Sequence, residues 1–120
     1  MKERVIVGDA LSVEPSVFNN EKIKGVKKRI LIGSDLNAPT FIMRLFVVSP
    51  GGYTPYHSHN WEHEVYIIKG KGKVISENRE QEISDNSYVF IPPNVKHQFK
   101  NTGEDELHFI CVIPSTADEE

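Results

Sequence analysis

Between residues 26 and 113 the chain is a succession of short segments in which β-branched and aromatic side chains alternate with polar ones or run together. Turn signals rich in Gly, Pro, Asn and Asp separate these segments. The pattern predicts β-strands over 26–32, 41–49, 63–69, 73–77, 79–84, 88–91, 97–100 and 107–113. We find no ten-residue stretch with the 3.6-residue period of an amphipathic helix. Strands repeating at about 8–12 residues predict an all-β sandwich or barrel.

The same pattern predicts one domain with a weakly specified start. We assign residues 1–24 to an N-terminal arm with one short strand around Val5–Val7, 25–114 to a β-barrel, and 115–120 to a frayed tail. The segment 41–49 is apolar on both faces except at Arg44, which predicts burial on both sides and contact with a second subunit. With an exposed edge strand, this pattern predicts a homodimer.

Composition and charge narrow the classes of partner. The 14 Lys and Arg stand against 17 Asp and Glu, a net charge of −3, so no basic surface for nucleic acid is expected. The single Cys excludes an intrachain disulfide and suits a reducing compartment. No apolar run approaches the roughly 20 residues of a membrane helix, and the start has no signal-peptide core. We therefore expect a cytoplasmic protein that binds a small-molecule ligand or substrate.

A cluster of histidines is the first candidate for chemistry. Three of the five histidines, at positions 57, 59 and 63, fall within seven residues. Imidazole is the commonest metal ligand among side chains that titrate near neutral pH. On an extended segment these three positions face one side, and Glu64 faces the other. The cluster alone leaves open a metal site and a solvated loop.

The spacing around this cluster resembles the first motif of the cupin family, G-x5-H-x-H-x(3,4)-E-x6-G. The corresponding residues here are Gly51, His57, His59, His63 and Gly70. The glutamate position of the motif therefore holds a histidine, and Glu64 is its neighbour. The six-residue spacing to Gly70 favours His63 as the ligand, with Glu64 as the alternative.

The second cupin motif, G-x5-P-x-G-x2-H-x3-N, also has a counterpart. It falls on Asn86, Pro92, Asn94, His97 and Asn101. Two asparagines replace two glycines, and asparagine tolerates a left-handed backbone better than most residues. The resemblance covers at least residues 51–101. It implies a double-stranded β-helix, that is, a jelly-roll or cupin barrel, as a single domain.

The histidine at the glutamate position makes the chain similar to small single-domain microbial cupins with a four-histidine metal site. The ligands implied by this resemblance are His57, His59, His63 and His97. It implies one divalent transition metal per chain, in the order Mn or Fe first, then Ni, Cu and Zn. Four neutral imidazoles would leave the ion its full charge, which acidifies bound water and favours anionic ligands.

Two residues of the last strand are pocket candidates through the same resemblance. It places Phe109 and Cys111 toward the pocket, which leaves His108 outside. We interpret Cys111 as a small buried apolar group rather than a redox centre.

Four further residues are pocket candidates from their positions. Arg44 can reach into the cavity and pair a substrate carboxylate, although we favour a surface or subunit-interface position for it. Tyr56 and Trp61 flank the histidine cluster and either form a pocket rim or simply pack. Glu64 is interpreted as a carboxylate behind the ligands or on the surface.

The resemblance favours an O2-dependent oxidoreductase, dioxygenase- or oxidase-like, because many metal cupins are dioxygenases. Its substrate would be a small organic molecule at the four-histidine centre. A non-redox isomerase or lyase is the first alternative, and it needs a general base, for which Tyr56, Glu62 and Glu64 are the nearby candidates. The second alternative is a non-catalytic cupin that binds or senses a small molecule.

Overall fold

The computed structural model describes residues 4–117 as an almost entirely β structure. Its strands are β1 (Ser16–Phe18), β2 (Lys24–Ile32), β3 (Phe41–Tyr53), β4 (His63–Lys69), β5 (Gly72–Ser76), β6 (Arg79–Ile83), β7 (Tyr88–Ile91), β8 (Gln98–Asn101) and β9 (Leu107–Pro114). The helical content of the described residues is two 3-10 turns, Ala10–Ser12 and Ser34–Leu36. Within residues 4–117 there is accordingly no helix of the length and apolarity that crossing a membrane requires.

All strands join one antiparallel sheet that curls into a nearly closed barrel. The order is β6-β5-β8-β3-β9-β4-β7, with β2 on β3 and β1 on β2. The long strand β3 is the centre of this arrangement, since it pairs with β2, β8 and β9. The predicted all-β, single-domain barrel is confirmed.

The core lies on the inner face of the barrel, as the alternation of side chains requires. In β9 the odd positions from Leu107 to Ile113 are buried and the even positions are half-buried. In β4 the same alternation buries His63, Val65 and Ile67 and exposes Glu64. The predicted orientation of His63 and Glu64 to opposite faces is therefore confirmed.

Strand β3 is buried on both faces within a single chain. Arg44 and Val48 lie on its inner face, and Leu45 and Val47, on the other face, are also buried. Double-sided burial was predicted, but the two-sided apolar pattern of β3 does not require a second subunit to explain it.

The first strand is not where the sequence suggested. Residues 5–7 form no strand, and Val5 and Val7 are 94% and 90% exposed. The short strand is Ser16–Phe18 instead. A turn at Asn20, whose side chain accepts hydrogen bonds from the N–H groups of Lys22 and Ile23, folds that strand back onto β2. Residues 5–7 have high β-propensity but no neighbouring strand with which their backbone groups can pair, whereas residues 16–18 pair with β2.

Strand β3 also runs past the predicted stop at Pro50. The pairing with β2 jumps from Val26–Val48 to Lys24–Tyr53, so the residues between are absorbed as an irregularity of the ladder. Gly51 there has a φ of 78°. The Pro-Gly-Gly sequence thus bends the strand instead of ending it, as bulges do.

The C-terminal segment is attached to the barrel where it can be described. The Ser115 N–H donates to the Thr40 carbonyl, and its hydroxyl donates to the Pro39 carbonyl. The remaining residues of the predicted frayed tail, 118–120, lie outside the described part of the chain.

Candidate metal centre

A cavity of about 230 Å³ opens at one end of the barrel, and the candidate histidines form part of its wall. Its lining comes from the arm, from strands β2, β3, β4, β8 and β9, and from the loops that follow β3 and β7. The lining residues are Phe18, Ile23, Lys28, Arg44, Phe46, Thr54, Pro55, His57, His59, Trp61, His63, His97, Phe99, Phe109 and Cys111.

Backbone hydrogen bonds bring the two histidine-bearing segments together. His57 and His97 form an isolated antiparallel bridge, with N–H to carbonyl distances of 3.2 and 2.9 Å. The Asn94 N–H donates to the His59 carbonyl. Main-chain hydrogen bonds alone thus hold together two residues that are 40 positions apart in the sequence.

Three imidazoles converge on one point. Ligand atoms of His57, His59 and His97 all lie within 4.8 Å of one another. The Nε2 atoms of His57 and His59 are 3.2 Å apart. Two nitrogens bound to the same ion at about 2.0–2.1 Å and a right angle would be separated by about 3 Å. The spacing therefore suits two ligands of a single metal.

His63 is adjacent to this group but is not part of the three-histidine convergence. Its ring centroid lies 4.9 Å from that of His97 and 5.2 Å from that of His59. Its Nε2 is buried and has no hydrogen-bond partner among the described residues. An orphaned buried nitrogen is costly, and an ion at the centre of the cluster would satisfy it. The donor set thus fits a metal, with three ligands in place and a fourth beside them.

The opposite ring nitrogens are held by the protein. Nδ1 of His97 lies 2.9 Å from the Val95 carbonyl, and Nδ1 of His63 lies 3.3 Å from the Cys111 sulfur. When Nδ1 carries the proton, Nε2 is left with its lone pair, which is how metal-binding histidines are usually oriented. In that tautomer both rings present Nε2 as the ligand atom.

Burial keeps two of these rings neutral. Desolvation lowers the pKa of His63 to about 3, with smaller contributions from His97 and Arg44. Burial also lowers the pKa of His97, opposed in part by its hydrogen bond to the Val95 carbonyl. Only neutral imidazole binds a metal, so both rings are in the binding form at neutral pH.

Arg44 lies in the cavity wall, so the favoured surface or interface position was wrong. The side chain is 3% exposed. Its Nη2 lies 3.1 Å from the Cys111 sulfur, and its guanidinium lies over the Phe46 ring at 5.1 Å. The inward parity of β3 places it there, because Arg44 has the same orientation as Phe46 and Val48.

The structure places three of the other pocket candidates in the wall. Phe109 and Cys111 are buried and line the cavity, and His108 lies on the opposite face beside Glu106, at 3.3 Å. The Trp61 ring stacks on His59 at a centroid distance of 4.5 Å.

Tyr56 and Glu64 are not among the lining residues. The Tyr56 hydroxyl accepts a hydrogen bond from the Glu77 N–H, and its ring lies under Lys96. Glu64 is exposed on the outer face of β4. The carboxylate alternative for the fourth ligand therefore has no geometric support.

Sequence reasoning missed several wall residues, above all Lys28, Phe46 and Phe99. Their alternation within each strand was visible. Which face points inward follows only from the pairing of β2 with β3 and of β5 with β8, and the sequence does not encode that pairing locally.

Both the sequence and the structure of this chain are similar to those of known proteins. The sequence pattern of the cupin domain family matches residues 44–113, which include all four candidate ligand histidines. The crystal structure of the polyketide cyclase RemF from Streptomyces resistomycificus has a TM-score of 0.85 and 29% identity, covering 98% of this chain and 82% of that one.

Two curated relatives carry different functions. The 1-methylthio-D-xylulose 5-phosphate methylsulfurylase of Rhodospirillum rubrum is 28% identical over 95 residues, 79% of this chain and 60% of the relative. Auxin-binding protein 1 of Arabidopsis thaliana is 35% identical over 74 residues, 54% of this chain and 37% of the relative. The chain spans less than two thirds of the length of either relative.

Proposed function

Because this chain belongs to the cupin family, we propose that its cavity is a metal-dependent active site in which four imidazoles hold one divalent transition metal. The ligands would be His57, His59, His63 and His97. The observation that carries the proposal is the convergence of three imidazoles beside a fourth whose buried Nε2 has no partner among the described residues. Imidazole suits Fe, Ni, Cu and Zn, and by resemblance to metal cupins we place Mn or Fe first.

The protein's own contribution is to hold the four rings in a fixed arrangement, two of them buried and neutral. Val95 and Cys111 orient two of the rings through their Nδ1 atoms. Trp61 covers the face of a third by stacking on His59. When bound, the metal would supply Lewis acidity or one-electron chemistry beside the substrate. The phenylalanine rings make that side of the cavity wall apolar.

We propose oxidation of a small organic substrate by O2 as the reaction. Among the described residues lining the cavity there is no Asp, Glu or Tyr. A general base must lie within hydrogen-bond reach of the proton it removes. The candidate bases Tyr56, Glu62 and Glu64 do not line the cavity. This arrangement supports a reaction that does not depend on a protein carboxylate.

A non-redox reaction is the second candidate, and the relatives favour it. RemF is named a polyketide cyclase and the Rhodospirillum rubrum relative a methylsulfurylase. The name of the auxin-binding relative supports instead the capture of a small molecule. These three classes are separable by experiment.

The metal content of tag-free protein, purified without chelator, tests the centre itself. We expect about one transition metal per chain in the wild type by plasma mass spectrometry. His63→Ala should lose the metal or bind it roughly 10–100-fold more weakly. In known metal sites, removal of a residue that only orients a ligand already weakens metal binding by this factor. His108→Ala is the matched control, because that ring lies outside the cavity. A wild type that takes up no metal on reconstitution would contradict the proposal.

Turnover with and without O2 then separates the reactions. We would screen phenols and small organic acids with the metal-loaded protein and follow O2 consumption together with loss of substrate. O2 consumption that His63→Ala abolishes supports the oxidoreductase. Substrate loss that continues unchanged under anaerobic conditions supports the non-redox alternative, and binding without turnover across the panel supports a binding protein.

A further inference from the structure

The cavity wall is cationic on the side formed by β2 and β3. Arg44 and Lys28 both line the cavity. Within the described part of the chain, no Asp or Glu lines the cavity. Focused positive potential in a cleft with low-dielectric walls raises the local concentration of anions.

The register of the strands fixes how the two cations are arranged. Ile30 pairs with Arg44, and Lys28 pairs with Phe46, so the cations lie on adjacent strands two residues apart in register. At about 3.3 Å per residue this is a step of roughly 7 Å along the sheet. Arg44 is buried at 3% exposure and Lys28 is half-buried, with its Nζ over the Phe18 ring at 5.5 Å. Arg44 is thus the deeper cation and Lys28 the shallower one.

Arg44 also lies close to the histidines. Its Nη2 is 3.1 Å from the Cys111 sulfur, and that sulfur is 3.3 Å from Nδ1 of His63. Two contacts therefore separate the guanidinium from the nearest candidate ligand ring. An anionic group beside Arg44 would be at the end of the cavity where the metal is proposed to bind.

The rest of the wall is apolar. The rings of Phe46 and Phe109 stack at 5.1 Å with 12° between their planes, and Phe99 and Phe109 stack at 4.7 Å with 24°. With the Arg44 guanidinium over the Phe46 ring, the three rings form one packed cluster. This phenylalanine cluster gives a ligand an apolar wall directly beside a cation.

We propose that this cavity takes a small carboxylate with an apolar body, its carboxylate paired with Arg44 and its body against the phenylalanine cluster. The cavity, at about 230 Å³, is below the roughly 300–1,000 Å³ of pockets for drug-sized ligands, so the ligand is about the size of a single substituted ring. A guanidinium matches a carboxylate with two parallel hydrogen bonds. The inference adds a substrate class to the proposed function. It rests on that function only for the reaction that would take place beside the bound carboxylate.

Trp61 offers a second polar contact in the same cavity. It lines the wall, and its indole Nε1 is buried without a hydrogen-bond partner among the residues described. A buried N–H without an acceptor is unfavourable. A ligand oxygen within reach would satisfy it, which again favours a ligand that carries hydrogen-bond acceptors.

The test is isothermal titration calorimetry of the Mn²⁺-incubated protein with benzoate, benzamide and phenyl phosphate, three probes built on one ring. We expect benzoate to bind about tenfold or more tightly than benzamide, because hydrogen bonds to a charged partner are about twice as strong as neutral ones. Arg44→Lys keeps the charge but loses the two-point geometry, and it should weaken benzoate binding by about tenfold.

Because Arg44 is buried, a half-buried cation provides an independent variant. Lys28→Gln should weaken benzoate binding by up to about fivefold, and the loss should shrink at high salt. Lys27→Gln is the matched control, since that exposed side chain is the next residue along and faces away. It should bind benzoate as the wild type does.

Equal affinity for benzoate and benzamide, or tighter binding of phenyl phosphate than of benzoate, would overturn the proposal. Unchanged benzoate affinity in both Arg44→Lys and Lys28→Gln would also overturn it. Metal content is measured on the same samples. A preference for benzoate that depends on Arg44 but persists without metal would refute the metal centre and support this inference. Bound metal without any such preference would refute this inference alone.

Discussion

At the scale of single residues, the burial of His63 opposes protonation of its ring in the metal-free protein. Its ring is buried and its pKa is lowered to about 3 from 6.5. In the unfolded chain the same ring takes up a proton near pH 6.5. Between those two values the unfolded state binds more protons than the folded state, so acid favours unfolding.

We therefore expect the free energy of unfolding of the chelator-treated protein to fall as pH drops below 6.5, with the fall from this ring complete near pH 3. At pH 5 the loss from His63 alone is about 2 kcal/mol, since one pKa unit corresponds to about 1.4 kcal/mol. Urea unfolding at pH 7.5 and pH 5 measures it. His63→Gln should lose about 2 kcal/mol less over the same interval. Parallel losses in the two proteins would show that another group is responsible.

At the residue scale, the sequence predicted the orientation of some side chains correctly and that of others wrongly. Parity alone put His63 and Glu64 on opposite faces, and the structure confirms this. Parity did not say whether the face of β3 that carries Arg44 points inward, and because a charged side chain is seldom buried without a partner, the surface was favoured for it. The Cys111 sulfur and the Phe46 ring, which contact Arg44, belong to positions 67 and 2 residues away in the chain. No local pattern reports the more distant of these contacts.

At the scale of elements, the turn before His97 depends on a left-handed residue. Asn94 has a φ of 65°, and Asn86, at the other replaced glycine, has a φ of 71°. Asparagine at these positions was expected to preserve both turns, and it does. The Asn94 turn also contacts the candidate site directly, because its N–H donates to the His59 carbonyl.

Substitutions at Asn94 should separate backbone strain from loss of the side chain. Asn94→Ala is expected to lower the free energy of unfolding by about 1–2 kcal/mol, since a Cβ without a compensating polar group is unfavourable in the left-handed region. Asn94→Gly should cost far less. Chemical denaturation of the two variants gives the comparison.

Asn78→Ala is the control for Asn94. Asn78 is an exposed turn residue whose φ lies outside the left-handed region, so we expect a change below about 0.5 kcal/mol. If Asn94→Ala were as harmless as the control, the turn would not depend on its backbone conformation.

Most strands could be predicted from alternation, and β4 and β7 agree residue for residue with the predicted segments 63–69 and 88–91. The misses were at the arm and at Pro50. Strand β1 is three residues long and exists because the Asn20 turn brings it to β2. Such strands depend on tertiary pairing more than on composition, so their sequence carries little signal.

At the scale of the whole molecule, the two ends of the main sheet path differ in how they meet solvent. Strand β6 has charged or polar residues at four of its five positions, from Arg79 to Glu82. Strand β7 carries Tyr88 at 85% exposure and Phe90 at 56%. Charged edges discourage pairing with another chain, and exposed apolar edges invite it. The exposed apolar edge that would favour association with a second copy is therefore β7 rather than β3.

We propose that β7 lies at the interface of a homodimer. Sedimentation velocity should give a species of twice the 13.6 kDa chain mass at micromolar concentration. Phe90→Lys should shift the population toward monomer, because a lysine at an edge opposes association. Phe41→Lys, at a comparably exposed phenylalanine on β3, should leave the dimer intact. A wild type that sediments as a monomer at high micromolar concentration would refute the proposal.

The cavity is lined by residues from inside and from outside the segment that matches the family. The match to the family covers residues 44–113 and so includes the histidines, Arg44 and the stacked phenylalanines. Phe18, Ile23 and Lys28 come from outside that match, yet they line the same cavity. Changes at these three positions can therefore alter the size or charge of the cavity without touching any of the four candidate ligands.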